Sequence, residues 1–137
     1  MNKRGFSLLE LVLAIAIFSL GSVALATMLI DANLSTRLAT DRTEALFYAK
    51  EGISAVRSLR DNSWASLTNG EHGLDNSSAP PFFSGSSDEI DSKYTRVVTV
   101  SEISSSTKNI AINISWDLTP ARIASTTLET VLTDWKQ

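Results

Sequence analysis

An α+β fold is predicted: one long N-terminal helix, about residues 6–60, packed on a small antiparallel β-sheet. Three observations predict it. From Phe6 to Ile30 every residue is apolar or small except one charge, Glu10. An amphipathic pattern continues from there to Leu59 without a proline. The C-terminal third then changes period, with Ile110, Ile112, Ile114 and Trp116 alternating with smaller or polar residues.

As a helix, residues 6–30 would span about 37 Å at 1.5 Å per residue, enough for a hydrocarbon core of roughly 30 Å. Lys3 and Arg4 precede the segment and Asp31 follows it, so the positive-inside rule leaves residues 1–5 in the cytoplasm. In residues 31–60, Leu34, Leu38, Ala45, Ala49, Ile53 and Val56 recur at steps of three, four and seven, with Leu46 and Leu59 beside the stripe. Arg37, Asp41, Arg42, Lys50, Glu51 and Arg57 fall largely on other faces. Gly52 lies inside this pattern and reads as room for a neighbouring strand or side chain.

The helix should end near Arg60-Asp61-Asn62. Residues 63–92 read as a turn-rich loop, with Asn69-Gly70, His72-Gly73, Pro80-Pro81 and Ser84-Gly85, pinned by Trp64, Leu67, Leu74, Phe82 and Phe83. Three strands follow, at 94–103, 109–117 and 122–135, joined by short turns at 104–107 and 118–121. Short connections favour an antiparallel meander whose apolar face covers the helix stripe. The chain thus divides into a short basic stretch at 1–5, an apolar helix at 6–30 long enough to span a membrane, an amphipathic helix at 31–60 and a loop-plus-sheet region at 61–137.

Composition removes several functions. The 137 residues include no cysteine, so disulfides, thiolate metal sites and a cysteine nucleophile are excluded. Net charge is −3, and without Lys3 and Arg4 the remainder carries −5, which gives no electrostatic basis for binding nucleic acid. The sole histidine, His72, sits in a Gly/Asn-rich stretch and reads as a surface residue. There is no phosphate loop or dinucleotide fingerprint. The serines at 77–87 and 101–106 have no base to activate them, and Glu129 and Asp134 lack the partner acid a glycosidase needs. An enzyme is not expected, nor a cofactor.

Glu10 is the anomaly. A carboxylate in an apolar span costs on the order of 2.5–3.5 kcal/mol on insertion scales. A buried helix of a soluble protein does not account for it, and neither does a secretory signal cut after Ala26, although Ala24-Leu25-Ala26 fits the small-x-small pattern. If the chain were cut after Gly5, Phe6 would carry a new α-amino group one helical turn from Glu10. In a staggered assembly the amine of one subunit would meet the carboxylate of the next and set axial register.

Lys3-Arg4-Gly5-Phe6-Ser7-Leu8-Leu9-Glu10 resembles the type IV prepilin signature: a short basic leader ending in Gly, then Phe, with Glu five positions into the mature chain. The resemblance implies cleavage between Gly5 and Phe6 by a cytoplasm-facing prepilin peptidase, a membrane aspartyl protease, and N-methylation of Phe6. It implies that Gly5 is needed for processing and that Glu10 supports entry into the fibre. The implied product is a structural subunit of a type IV pilus or a secretion or DNA-uptake pseudopilus, of minor pilin or pseudopilin type. Its partners would be the prepilin peptidase/methyltransferase, other pilin or pseudopilin subunits, membrane lipid and the inner-membrane assembly platform. It would be single-pass in the cytoplasmic membrane before assembly and part of a cell-surface or periplasmic fibre afterwards. The chain departs from many type IV pilins in lacking a helix-bending proline around Thr27; its first proline is Pro80, and Gly21-Ser22 is the alternative place for a bend. A secreted binding protein cut after Ala26 and a non-polymerising anchored domain are the rival readings.

Two further clusters have bland readings. Asp88-Glu89-Ile90-Asp91 resembles a calcium loop of some major pseudopilins, but strands follow it, and a solvated acidic loop is expected instead. Trp64, Trp116 and Trp135 are expected in the core or at its edge rather than on a binding platform.

Overall fold

The computed structural model describes residues 7–119 and 122–135. The backbone forms α1 (Leu8–Asn62), a 3₁₀ turn (Trp64–Ser66), then β1 (Gly70–Asp75), β2 (Phe82–Ser84), β3 (Asp88–Ile90), β4 (Tyr94–Ser104), β5 (Thr107–Thr119) and β6 (Arg122–Thr133). The chain divides into two compact units, Met1–Thr40 and Asp41–Gln137.

In the first unit α1 begins where Ser7 O accepts from Glu10 N–H (2.9 Å) and Leu11 N–H (3.2 Å). The helix runs through Gly21 without a break, and a methyl group there would touch nothing within 4 Å. Leu8 to Ile30 are exposed throughout, with no apolar face covered among the described residues. By length and composition this stretch is apolar enough to cross a membrane.

The second unit buries one face of α1 against the sheet. Ala45, Ala49, Ile53, Val56 and Leu59 join a core with Leu67, Leu74, Tyr94, Val98, Val100, Ile110, Ile112, Ile114, Trp116 and Leu132. Each large aliphatic side chain so buried contributes about 1.5–3 kcal/mol. The stripe is covered only from Ala45: Leu34 is exposed, Leu38 is half-exposed, and Leu46 and Phe47 also face outward. Ser63 N–H closes the last turn on Leu59 O at 2.9 Å.

The sheet is antiparallel, in the order β2-β1-β4-β5-β6, with β3 also paired to β4. Register places Tyr94 opposite Trp116, Arg96 opposite Ile114, Val98 opposite Ile112 and Val100 opposite Ile110. These residues make the inner face, and the period of two puts Thr95, Val97, Thr99, Asn113 and Ser115 on the outer one.

The three expected C-terminal strands match β4, β5 and β6 within a few residues, and the turn between the last two falls partly outside the described residues. The stretch read as a loop at 63–92 is different: it holds the 3₁₀ turn, β1, β2 and β3. Its glycines caused the misreading. A methyl group on Gly73 would lie 2.4 Å from Ser84 O and 2.5 Å from Ser87 O, so glycine is there to admit a neighbouring backbone within a strand. Leu67, Leu74 and Phe83 pin the segment as expected, while Phe82 stays exposed.

Candidate functional site

The N-terminal span contains four polar side chains from Leu8 to Ile30: Glu10, Ser19, Ser22 and Thr27. Three are satisfied within the helix. Ser19 Oγ donates to Ile15 O (2.7 Å), Ser22 Oγ to Phe18 O (2.9 Å) and Thr27 Oγ1 to Ala24 O (2.9 Å). Such back-bonding removes the cost of placing a hydroxyl in hydrocarbon. Just beyond the span, Asn33 Nδ2 does the same to Leu29 O at 2.9 Å. Glu10, in the first turn of α1, is exposed, and no basic side chain pairs with it among the described residues. The span therefore internalises every polar group except its one charge. Gly5 and Phe6 lie outside the described residues.

Residues 1–26 match the family model of the prokaryotic N-terminal methylation motif. This is the type IV pilin and pseudopilin signature, and the α+β layout of helix and antiparallel sheet is type IV pilin-like. Neither a curated protein nor a solved structure matches the chain. The motif supports a type IV pilin-like precursor processed by prepilin peptidase, and with the apolar helix it fits a precursor anchored in the inner membrane. It points to a structural subunit that assembles with other pilins, not to an enzyme.

The headgroup has its own polar centre, at a residue the sequence reading passed over. Arg96 lies on the inner face of β4 and is 3% exposed. Asp88 on β3 holds it with two bonds, from Nε (3.2 Å) and Nη2 (2.7 Å), while Glu51 on α1 stands 3.9 Å from Nη1. Asp88 Oδ1 also accepts from Leu74 N–H at 2.8 Å, and Glu51 accepts from Asn76 Nδ2 at 2.7 Å. One buried guanidinium thus connects α1, β1, β3 and β4. A methyl on Gly52 would lie 2.8 Å from Ile112 Cδ1 and 3.4 Å from Arg96 Cδ, so the helical glycine makes room for both side chains. The available signal was parity: Arg96 shares a face with Tyr94, Val98 and Val100, where an unpaired charge would be costly.

The expected solvated acidic loop is corrected in part: Asp88–Ile90 forms β3 and Asp88 is half-buried, while Glu89 and Asp91 are exposed. Asp88 is committed to Arg96, Tyr48 Oη donates to Asp91, and no group of three metal-ligating side chains occurs among the described residues. The bond to Asp91 favours the protonated phenol and pushes Tyr48 up to about 12. Tyr94 donates to Glu44 at 2.6 Å; burial first, then that bond, raises its pKa. Lys93 bonds Asp41 at 2.6 Å, which holds it above the usual ammonium range. The rings of Tyr48, Tyr94 and Trp116 meet in sequence in tilted contacts, with centroids 5.3 and 5.8 Å apart. These contacts tie α1 to the sheet.

His72 is half-buried in β1 rather than in a turn, stacked on Phe83 at 4.3 Å with Nε2 2.8 Å from Thr68 O. Trp116 is in the core and Trp64 at its edge, below the ammonium of Lys108. Trp135 departs from expectation: it is mostly exposed, its Nε1 donating to Asp61 at 3.1 Å.

Proposed function

We propose that this chain is a structural subunit of a type IV pilus or of a related secretion or DNA-uptake pseudopilus, of minor pilin or pseudopilin type. In this reading the leader is removed between Gly5 and Phe6, the new N-terminus at Phe6 is methylated, and the helix waits in the membrane until an inner-membrane assembly platform lifts it into a fibre. Glu10 then meets the Phe6 amine of a neighbouring subunit. The headgroup is displayed on the fibre surface. The observation that carries the reading is Glu10 itself, the one polar side chain of the span without a partner in its own helix. A charge retained there at a cost on the order of 2.5–3.5 kcal/mol calls for a partner from outside the chain.

The test is Glu10→Leu, followed by membrane fractionation and recovery of sheared fibres. The variant is expected to insert and accumulate in the membrane at least as well as the parent, since it is more apolar, yet to be absent from fibres. An anchored domain that works alone would keep full function after this change, and that result would exclude assembly as the role of Glu10.

A further inference from the structure

The headgroup half of α1 carries opposite charges on its two flanks. Its buried stripe, centred on Ala45, Ala49 and Val56, faces the sheet. At about 100° per residue, Asp41, Glu44 and Glu51 fall on one side of that stripe, and Arg42, Lys50 and Arg57 on the other. The acidic flank meets the β3 side of the sheet: Asp41 bonds Lys93 (2.6 Å), Glu44 accepts from Tyr94 (2.6 Å) and Glu51 from Asn76 (2.7 Å). Asp88, Glu89 and Asp91 lie on that side too, where the cations Lys93 and Arg96 are already paired. The basic flank lies toward β6, at the other end of the strand order; Asp61, further along the same flank, accepts from Trp135 just past β6. Arg42, Lys50 and Arg57 are exposed and pair with no acid among the described residues. Leu46, 40% exposed, sits between Arg42 and Lys50.

The two flanks complement each other on neighbouring copies. A copy shifted sideways without being turned over brings its acidic flank to the basic flank of the first. All helices then point one way, in the head-to-tail contact that builds open filaments. A two-fold axis along the helix would instead set each flank on its like. Spacing sets the offset. Lys50 and Arg57 are seven residues apart, as are Glu44 and Glu51, about 10.5 Å in each case. Displacing the second copy by six residues, about 9 Å, aligns Lys50 with its Glu44 and Arg57 with its Glu51. With no displacement, Arg57 has no acid of that flank at its level. Both carboxylates are exposed, and the bonds within the chain use Glu44 Oε2 and Glu51 Oε1, leaving the other oxygen of each for a second donor. We propose that Lys50 and Arg57 of one headgroup dock against Glu44 and Glu51 of the next copy in the fibre. The proposal deepens the fibre assignment above and rests on it.

Sheared fibres of the full chain, treated with a water-soluble carbodiimide, test the contact, because this reagent joins an amine only to a carboxylate it touches. A Lys50–Glu44 amide should appear in covalent multimers from fibres and be absent from chains dispersed in detergent. The Lys93–Asp41 pair should link within one chain in both samples. Lys50→Glu combined with Arg57→Glu should lower fibre recovery by about tenfold, since like charges then face each other. Membrane content and the far-ultraviolet spectrum should be unchanged, because neither side chain has an acid partner in its own headgroup. Lys50→Glu alone should reduce recovery less, and Glu44→Lys in the same chain should restore it. Parental recovery of the doubly reversed chain, or fibres without the Lys50–Glu44 amide, would overturn this contact and leave the fibre assignment standing. Absence of fibres from the parent chain would overturn both.

Discussion

One helix lives in two environments. From Asp41 onward α1 buries Ala45, Ala49, Ile53, Val56 and Leu59 against the sheet and turns Asp41 to Lys93, in the turn between β3 and β4, and Glu44 to Tyr94 on β4. From Leu8 to Ile30 it is apolar on every face, and none of them is covered among the described residues. The later half is stabilised by its own fold. In the proposed function the earlier half takes lipid first and neighbouring helices later, and its one charge, Glu10, has no basic partner among the described residues. The two glycines of α1 repeat the contrast: Gly52 is enclosed by Ile112 and Arg96, and Gly21 touches nothing within 4 Å.

Breaking the headgroup's polar centre should have the largest effect on folding. Arg96→Met leaves the Asp88 carboxylate, still bonded to Leu74 N–H, without its cation, and should cost about 3–5 kcal/mol in denaturant titration of the headgroup transition. The substitution should leave membrane insertion unchanged, because the first unit does not depend on it. Next comes Gly52→Leu, which overpacks the site against Ile112 and should cost about 1–3 kcal/mol. Gly21→Ala should do the opposite, raising helix stability by about 1 kcal/mol with no steric penalty. If both glycine substitutions behaved alike, the division of α1 into a packed and an unpacked half would be wrong.

The smallest effect is a pH dependence confined to the headgroup. Tyr48 and Tyr94 have folded pKa values raised above the ordinary 10 and Lys93 is raised above its own usual value. Groups raised in the folded state contribute stability that is complete below the unfolded pKa and is lost as pH rises through the folded one. Melting temperature should therefore hold to about pH 10 and fall toward pH 12. Tyr48→Phe should flatten part of that decline.

How legible these features were depends on whether their cause is local. The long helix follows from consecutive apolar residues and the absence of proline, so its ends were readable to within two residues. The last three strands follow from alternation at Tyr94–Val100 and Ile110–Trp116. By contrast, β1, β2 and β3 are held by distant partners. Gly73 resembles a breaker until Ser84 and Ser87 are seen against it, and Asp88 resembles a solvated acid until Arg96 is found beside it. Asp41 and Glu44 looked like a solvent face for the same reason, since Lys93 and Tyr94 lie about fifty residues further on. At the N-terminus the motif was plain in the residues, because it is a contiguous run of sequence. The role of Glu10 was arguable only from the cost of its charge.

The measurement that tests the central claim most directly is the N-terminal sequence and intact mass of the protein isolated from membranes of a host with prepilin peptidase. A chain beginning at Phe6 with one added methyl group is the expected result, and Gly5→Ala should abolish that product and leave the leader attached. A chain beginning at Thr27 would mean an ordinary signal peptide and a released headgroup, and would contradict the account.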